Sequence, residues 1–176
     1  TLEDGIEVRI RGRVSYYAPQ GRIQFIMSAV DPQYTLGHLA AERDQVLRTL
    51  ASEGLLELNK SLTLPLLPLR IGLVTSDGSA AYNDFTNELL TSRYPFQIFL
   101  VDARVQGSEA ESAIVNALKT IAHAEVDVIA VVRGGGAKTD LLAFDLESVA
   151  RAIANCPIPV FAGIGHEIDR SITDEV

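Results

Sequence analysis

This sequence of 176 residues has a single cysteine, no long apolar run and no excess of basic residues. The one cysteine, Cys156, excludes an internal disulfide and favours a reducing, cytoplasmic setting. No stretch is apolar over the roughly 20 residues needed to cross a bilayer, so we expect no membrane partner. The formal net charge of −8 argues against a surface built for general nucleic-acid binding, although a local site can still be positive.

The first residues lack the basic flank and apolar core of a signal peptide, and they lack an initiator methionine. The last residues, Asp174-Glu175-Val176, show no natural stopping point. We therefore expect both ends to be cut from a longer protein. The length suits one full domain together with a small or partial second one.

The N-terminal segment, residues 1–34, has the pattern of a β-hairpin. Apolar and polar residues alternate over 6–16 and again over 22–30, with a turn at 18–21 between them. Two strands alone are marginally stable in water. We therefore expect this hairpin to be the remnant of a larger β-domain.

Residues 35–69 are predicted to form a helix followed by a linker. The apolar spacing predicts the helix over 38–53, and Gly54 is a natural stop. Pro65 and Pro68 make the following segment extended rather than helical.

Residues 70–176 alternate between strand and helix patterns, which predicts an α/β domain with an open, mostly parallel sheet and helices on both faces. The third helix of the whole chain is expected to open with a capping box of Ser108 and Glu111. The predicted strands are 71–75, 97–101, 126–132 and 159–164, and the predicted helices of this domain are 79–93, 108–123 and 146–154.

Three polar segments follow predicted strand ends, at 75–78, 133–136 and 165–169. Ligands of open parallel sheets bind beyond the carboxyl ends of the strands, near the point where strand order reverses. We therefore expect the functional residues of this domain to lie in these three segments.

The segment Arg133-Gly134-Gly135-Gly136 has the composition of a phosphate site. Its glycines let backbone N–H groups face an anion, and the arginine adds a guanidinium fork that suits phosphate oxygens. The alternative is a flexible turn with a surface arginine. The position directly after a buried strand favours the phosphate site.

The segment Gly165-His166-Glu167-Ile168-Asp169 also follows a buried strand. His166 titrates near neutral pH and can therefore move a proton. Asp169 is close enough in sequence to orient His166 or to bind a metal. The alternative is a polar loop that caps the next helix, and the pentapeptide alone does not separate the two.

Four more residues are candidates because of where they stand. Asp84 is in the first turns of the helix after the first parallel strand, where a solvated carboxylate is the ordinary interpretation. Thr75 and Ser76 end that strand, so their hydroxyls either donate to a phosphate or cap the helix. Gln106 follows the second parallel strand as a DNA contact or as part of a turn.

Taken together, these segments resemble the large subunit of bacterial exodeoxyribonuclease VII over about residues 8–176. The combination of segments is highly specific, whereas one such loop would not be. The matching positions are 64–65, 71–76, 80–84, 105–107, 133–136, 144, 157–160, 165–167 and 169.

The resemblance implies an OB-fold, represented here by a partial hairpin, followed by a catalytic α/β domain. It implies degradation of single-stranded DNA from either end to short oligonucleotides, by a large subunit that works with a small subunit. The family's catalytic positions fall on Asp84, Arg133, His166 and Asp169, and all four residue types are retained. The segment that binds the small subunit is expected to lie outside this sequence.

The sequence departs from the family pattern at three places. Ser79 stands where the family has a glycine, Ala137 where it has a serine, and Leu142-Ala143 where an aromatic residue is usual. These changes affect loop shape or DNA contacts and remove no catalytic group.

Several roles stay open at the level of sequence. Arg133 and the glycine N–H groups suit charge stabilisation, and His166 suits proton transfer as base or as acid. Asp169 either orients His166 or shares a Mg²⁺ ion with Asp84. The main alternative function is a phosphate- or nucleotide-binding α/β module without nuclease activity, and a DNA-binding scaffold with a vestigial site is the third.

Overall fold

The computed structural model describes residues 8–135, 138–165 and 171–176, with the backbone alone for 32–39 and 138–140. The chain divides into two compact units, Thr1–Gln45 and Val46–Val176. The predicted domain boundaries after residues 34 and 69 stay predictions.

The first unit contains an antiparallel hairpin of β1 (Arg9–Tyr17) and β2 (Arg22–Asp31), as the alternating pattern predicts. The strands are joined by one turn of 3₁₀ helix, Ala18–Gln20. The register shifts between Arg11 and Gly12, which marks a β-bulge, and the Ser28 hydroxyl donates to the Arg11 carbonyl oxygen at 3.0 Å beside it.

One face of this hairpin is apolar and open. Val14 pairs with Phe25 and Tyr16 with Ile23, and the exposed fractions of Val14 and Ile23 are 71% and 77%. The Phe25 ring lies over Gly12, where an added Cβ would approach its Cζ to 2.5 Å. Two strands with such exposed apolar side chains are, by themselves, marginally stable in water at best. The interpretation of the hairpin as part of a larger β-domain stays a prediction.

Helix α1 (Pro32–Ser52) follows the hairpin and starts six residues before the predicted position. Pro32 is its first residue, where a missing N–H costs nothing and the fixed φ angle suits a helix. The predicted stop is confirmed, because Gly54 adopts the left-handed conformation with φ of 73°. A short 3₁₀ helix, Leu55–Glu57, comes next.

The second unit is built on a parallel sheet of four strands in the order β4-β3-β5-β6, which confirms the predicted fold class. The strands are β3 (Arg70–Thr75), β4 (Gln97–Asp102), β5 (Val128–Arg133) and β6 (Val160–Ile164). The helices are α2 (Ala80–Thr91), α3 (Ala110–Ile121) and α4 (Glu147–Ala154), with 3₁₀ segments at Lys138–Asp145 and Ile172–Asp174.

Helices cover both faces of the sheet. On one face, Ile71 and Leu73 of β3 pack with α2 through Tyr82, Phe85 and Leu89. On the other face, the apolar cluster joins the sheet to α3 and α4; it includes Val74, Ile129, Val131, Ile114, Leu118 and Ile153. Side chains along a strand alternate between faces, so this division tells which way each site residue points. Among the described residues, no helix is both long and apolar enough to cross a membrane.

The predicted capping box of α3 is wrong. The helix begins at Ala110, its N-cap is Glu109, and no side chain makes the capping bond. The Glu111 carboxylate instead accepts a hydrogen bond from the Ser148 hydroxyl at 2.6 Å. The Glu111 side chain, which the local pattern assigned to the cap, therefore contacts α4 instead.

Candidate active site

The strand order reverses between β3 and β5. The chain leaves β3 for β4 on one side, then crosses to β5 on the other side, and continues outward to β6. In open parallel sheets, this reversal creates a crevice at the carboxyl ends of the two strands. Thr75 ends β3 and Arg133 ends β5, so both lie at this crevice.

Arg133 is the last residue of β5 rather than the first residue of a loop. Its exposed fraction is 4%, so the alternative of a surface arginine is wrong. It shares the strand face of Ile129 and Val131, the face covered by α3 and α4. A positive charge at this depth is poorly screened by water and acts strongly on nearby anions.

Gly134 brings the glycine segment against the beginning of α2. An added Cβ at Gly134 would lie 3.5 Å from the Ala81 Cβ and 3.7 Å from the Ala81 nitrogen. A larger side chain would therefore enter the space beside the first turn of α2. Gly135 follows as an exposed residue, and the predicted contribution of Gly136 lies outside the described residues.

Thr75 and Ser76 do not cap α2, so that alternative is wrong. The Ser76 hydroxyl donates to the Ala103 carbonyl oxygen at 2.9 Å, which ties the end of β3 to the segment after β4. Thr75 is fully buried, and among the described residues no group makes a hydrogen bond with its Oγ1. The N-cap is Ser79, whose side chain accepts from the Tyr82 N–H at 3.1 Å.

Asp84 lies on α2 and is exposed, while Gln106 is exposed in the segment that follows β4. The helix of Asp84 covers one face of the sheet, and the side chain of Arg133 leaves from the opposite face. The structure therefore puts both residues at the carboxyl end of the sheet but on opposite faces. They can act on one substrate only across the top edge of the sheet.

His166 and Asp169 lie outside the described residues, but the positions on either side of them are held in place. The Gly165 N–H donates to the Arg133 carbonyl oxygen at 3.2 Å. The Ile172 N–H donates to the Asp145 Oδ1 at 2.7 Å. Both flanks of the segment 166–170 are thus fixed to elements at the carboxyl end of the sheet.

The turn after this segment was missed by the sequence analysis. Ser171 and Asp174 form a reciprocal capping box, with the Ser171 N–H donating to the Asp174 carboxylate at 2.8 Å. The available signal was the Ser-x-x-Asp spacing, which resembles the Ser-x-x-Glu capping pattern.

The described residues contain no group of three or more histidine, cysteine, aspartate or glutamate side chains arranged to hold a metal. The predicted Mg²⁺ pair needs both Asp84 and Asp169, and only Asp84 is among the described residues. Its exposed carboxylate is a suitable oxygen ligand. The metal assignment therefore stays a prediction.

Comparison with known proteins decides the family. A family model described as "Exonuclease VII, large subunit" matches residues 55–176. The chain belongs to this family. A protein of Moorella thermoacetica named exodeoxyribonuclease 7 large subunit is 42% identical over 178 residues, which cover 99% of this chain and 44% of that protein. A protein of the same name from Alcanivorax borkumensis is 38% identical over 174 residues, which cover 98% of this chain and 38% of that protein.

The chain thus spans about two fifths of the length of these relatives. Ser79 has a structural role at the start of α2. A serine at the N-cap satisfies the Tyr82 N–H, which a glycine would leave without a side-chain acceptor. Ser79 therefore stabilises the start of the helix that bears Asp84.

Proposed function

We propose that this chain carries the catalytic domain of an exodeoxyribonuclease that hydrolyses single-stranded DNA from both ends to short oligonucleotides. The complete enzyme combines the large subunit with a small subunit, in the cytoplasm. One observation carries the proposal: the ends of β3 and β5, the glycine segment and the first turn of α2 meet at the strand-order reversal. In a member of this family, that crevice is the natural position for a phosphodiester.

Hydrolysis of a phosphodiester requires stabilisation of negative charge on the phosphorus-bound oxygens. Arg133 supplies a positive charge at the end of β5, where the exposed fraction of the residue is only 4%. The N–H groups of Gly134 and Gly135 follow it directly in the chain and are suited to the same oxygens. Preorganised donors of this kind are worth roughly 10²- to 10³-fold in rate each.

Proton transfer is assigned to His166, which removes a proton from the attacking water or gives one to the leaving oxygen. Asp169 orients its imidazole, and Asp84 faces the substrate from α2. If Mg²⁺ is bound, Asp84 and Asp169 hold it, and the ion then supplies Lewis-acid activation of the phosphate.

The hairpin gives independent support for a DNA substrate. Arg9, Arg11 and Arg13 alternate along β1 and so share one face, and Arg22 lies on that face opposite Tyr17. A row of arginines with an aromatic residue suits the backbone and bases of a single strand. Asp31 lies opposite Arg9 on the same face, so the local excess of positive charge there comes from Arg11, Arg13 and Arg22, although the net charge of the whole sequence is −8.

The test uses the complete two-subunit enzyme with oligodeoxythymidylate labelled at either end, in the presence of Mg²⁺ or of EDTA. Arg133→Ala and His166→Ala are expected to abolish cleavage, whereas Arg104→Ala, an exposed arginine after β4, retains it. Because Arg133 is buried, Arg133→Lys and a melting curve for each variant separate loss of chemistry from loss of fold.

Turnover at the wild-type rate by folded Arg133→Ala or His166→Ala enzyme would overturn the site assignment. Tight binding of mononucleotides by a wild-type enzyme without nuclease activity would instead favour the phosphate-binding module. Release of label from one end only would refute degradation from both ends and leave the nuclease assignment intact.

A further inference from the structure

Thr75 has a buried hydroxyl that the fold itself does not explain. Its exposed fraction is 0%, and no described group makes a hydrogen bond with Oγ1. A buried polar group without a partner destabilises a protein, so such groups are rare and call for an explanation. The packing of β3 does not require a hydroxyl at this position, since a valine would fill the same volume.

The side chain of Thr75 points toward the α2 side of the sheet. Ile71 and Leu73, which share its strand face, pack with residues of α2. The intervening Gly72 faces the opposite side, where an added Cβ would lie 2.6 Å from the Ile121 Cγ1 of α3. Thr75 is the last residue of β3, so its hydroxyl lies at the end of the sheet where α2 begins.

The first turn of α2 offers donors at the same place. Ala80 and Ala81 are its first two residues, so their N–H groups have no acceptor within the helix. The next N–H, that of Tyr82, is already taken by Ser79. Gly134, which directly follows β5, lies beside Ala81 and has no side chain there.

We infer that the first turn of α2 and the Thr75 hydroxyl form one oxyanion subsite, which binds the non-bridging oxygens of a phosphodiester. The Ala80 and Ala81 N–H groups and the Thr75 hydroxyl donate to the anion beside Gly134, where an added Cβ would lie 3.5 Å from the Ala81 Cβ. The positive end of the helix dipole adds to the attraction. This inference rests on the proposed function for the identity of the anion as DNA phosphate, but the subsite itself is testable without cleavage.

The experiment compares the 176-residue chain with Thr75→Val and Thr75→Ser, using inorganic phosphate as the probe. Thr75→Val replaces the hydroxyl with a methyl group at nearly constant volume, while Thr75→Ser keeps the hydroxyl and removes the methyl group. Phosphate is expected to shift the Ala80 and Ala81 amide signals in ¹H–¹⁵N spectra. The Thr75→Val change is expected to weaken phosphate binding about 10- to 100-fold, while Thr75→Ser stays within a few-fold of wild type.

The melting temperature without phosphate makes the test sharper. Because Oγ1 has no partner in the described structure, Thr75→Val is expected to melt at or above the wild-type temperature. A lower melting temperature would show that the hydroxyl is already bonded in the free chain, which contradicts the inference. Unchanged phosphate affinity in Thr75→Val, or no shift at Ala80 and Ala81 in the wild type, would overturn it as well.

The two proposals fail in different ways. Phosphate binding that depends on Thr75, in an enzyme that does not cut DNA, would keep the subsite and refute the nuclease. Cleavage that survives Thr75→Val with an unchanged KM for DNA would refute the subsite alone.

Discussion

Asn59 holds together two segments that are distant in sequence, and its removal is the most informative change for stability. Its exposed fraction is 3%, and its side-chain amide nitrogen donates to the carbonyl oxygens of Cys156 and Ile158 at 3.1 and 3.0 Å. Its side-chain oxygen accepts from the Val160 N–H at 2.9 Å. Three bonds from one amide thus fix the beginning of β6.

Asn59→Ala removes all three hydrogen bonds. The Cys156 and Ile158 carbonyl oxygens and the Val160 N–H then lose their Asn59 partner. Each such bond is worth about 1 kcal/mol net, so we expect a loss of about 3 kcal/mol in the free energy of unfolding. Domains of this kind are stable by only about 5–15 kcal/mol, so the loss is a large fraction of the total. Asn59→Asp is expected to cost more at neutral pH, because the new carboxylate would face two carbonyl oxygens, and to recover partly in acid.

Cys156 provides the assay, since it is the only cysteine and its exposed fraction is 6%. Burial raises the pKa of the Cys156 thiol, so the folded protein reacts slowly with thiol reagents. Labelling under native conditions then reports how often this region opens. A loss of about 3 kcal/mol corresponds to labelling faster by on the order of 10²-fold, if that opening is what limits the reaction.

Urea unfolding followed by circular dichroism measures the same free energy independently. The matched control is Asn116→Ala, an exposed asparagine of α3, which is expected to change neither measurement appreciably. Labelling of Asn59→Ala at the wild-type rate, with an unchanged urea midpoint, would refute the argument that these three bonds stabilise the unit.

Two further predictions concern packing and charge. Gly72→Ala places a Cβ 2.6 Å from the Ile121 Cγ1 and is expected to cost about 1–3 kcal/mol by urea unfolding, whereas Gly163→Ala, with its nearest neighbour at 3.8 Å, is tolerated. Arg151 donates to the Glu53 carboxylate at 2.5 and 2.7 Å, and this holds the pKa of Glu53 below its usual range. A lowered folded-state pKa stabilises the protein above the unfolded value of about 4.3, and the contribution is lost as the pH falls below it. The melting temperature of Glu53→Gln is therefore expected to fall less than that of the wild type as the pH is lowered. An equal fall in melting temperature for the two proteins would contradict this.

Much of the second unit could be predicted because its signals are local. Buried strands such as 126–132 are short apolar runs, and the helices between them carry apolar residues at helical spacing. The parallel order then follows from the alternation itself, through right-handed crossovers. Gly54 ended α1 as expected because a left-handed residue terminates a helix whatever its surroundings.

The errors arose where a distant contact decided the outcome. The capping box of α3 failed because Ser148 of α4 takes the Glu111 carboxylate. The capping roles of Thr75 and Ser76 failed because Ser76 bonds to Ala103 across the strand ends, while Ser79 caps the helix. No pattern within one element contains these partners.

By itself, the sequence determined which residues are strands, which are helices, and which polar segments follow strand ends, because apolar periodicity and turn residues act within a few positions. Only the tertiary structure decided that Arg133 is buried, that Asp84 approaches from the opposite face, and that the Thr75 hydroxyl lies under α2. Burial and facing depend on strand order and on which helix covers which face. Those are properties of the packed sheet, in which residues 57 positions apart become neighbours, as the pairing of Val74 with Val131 shows.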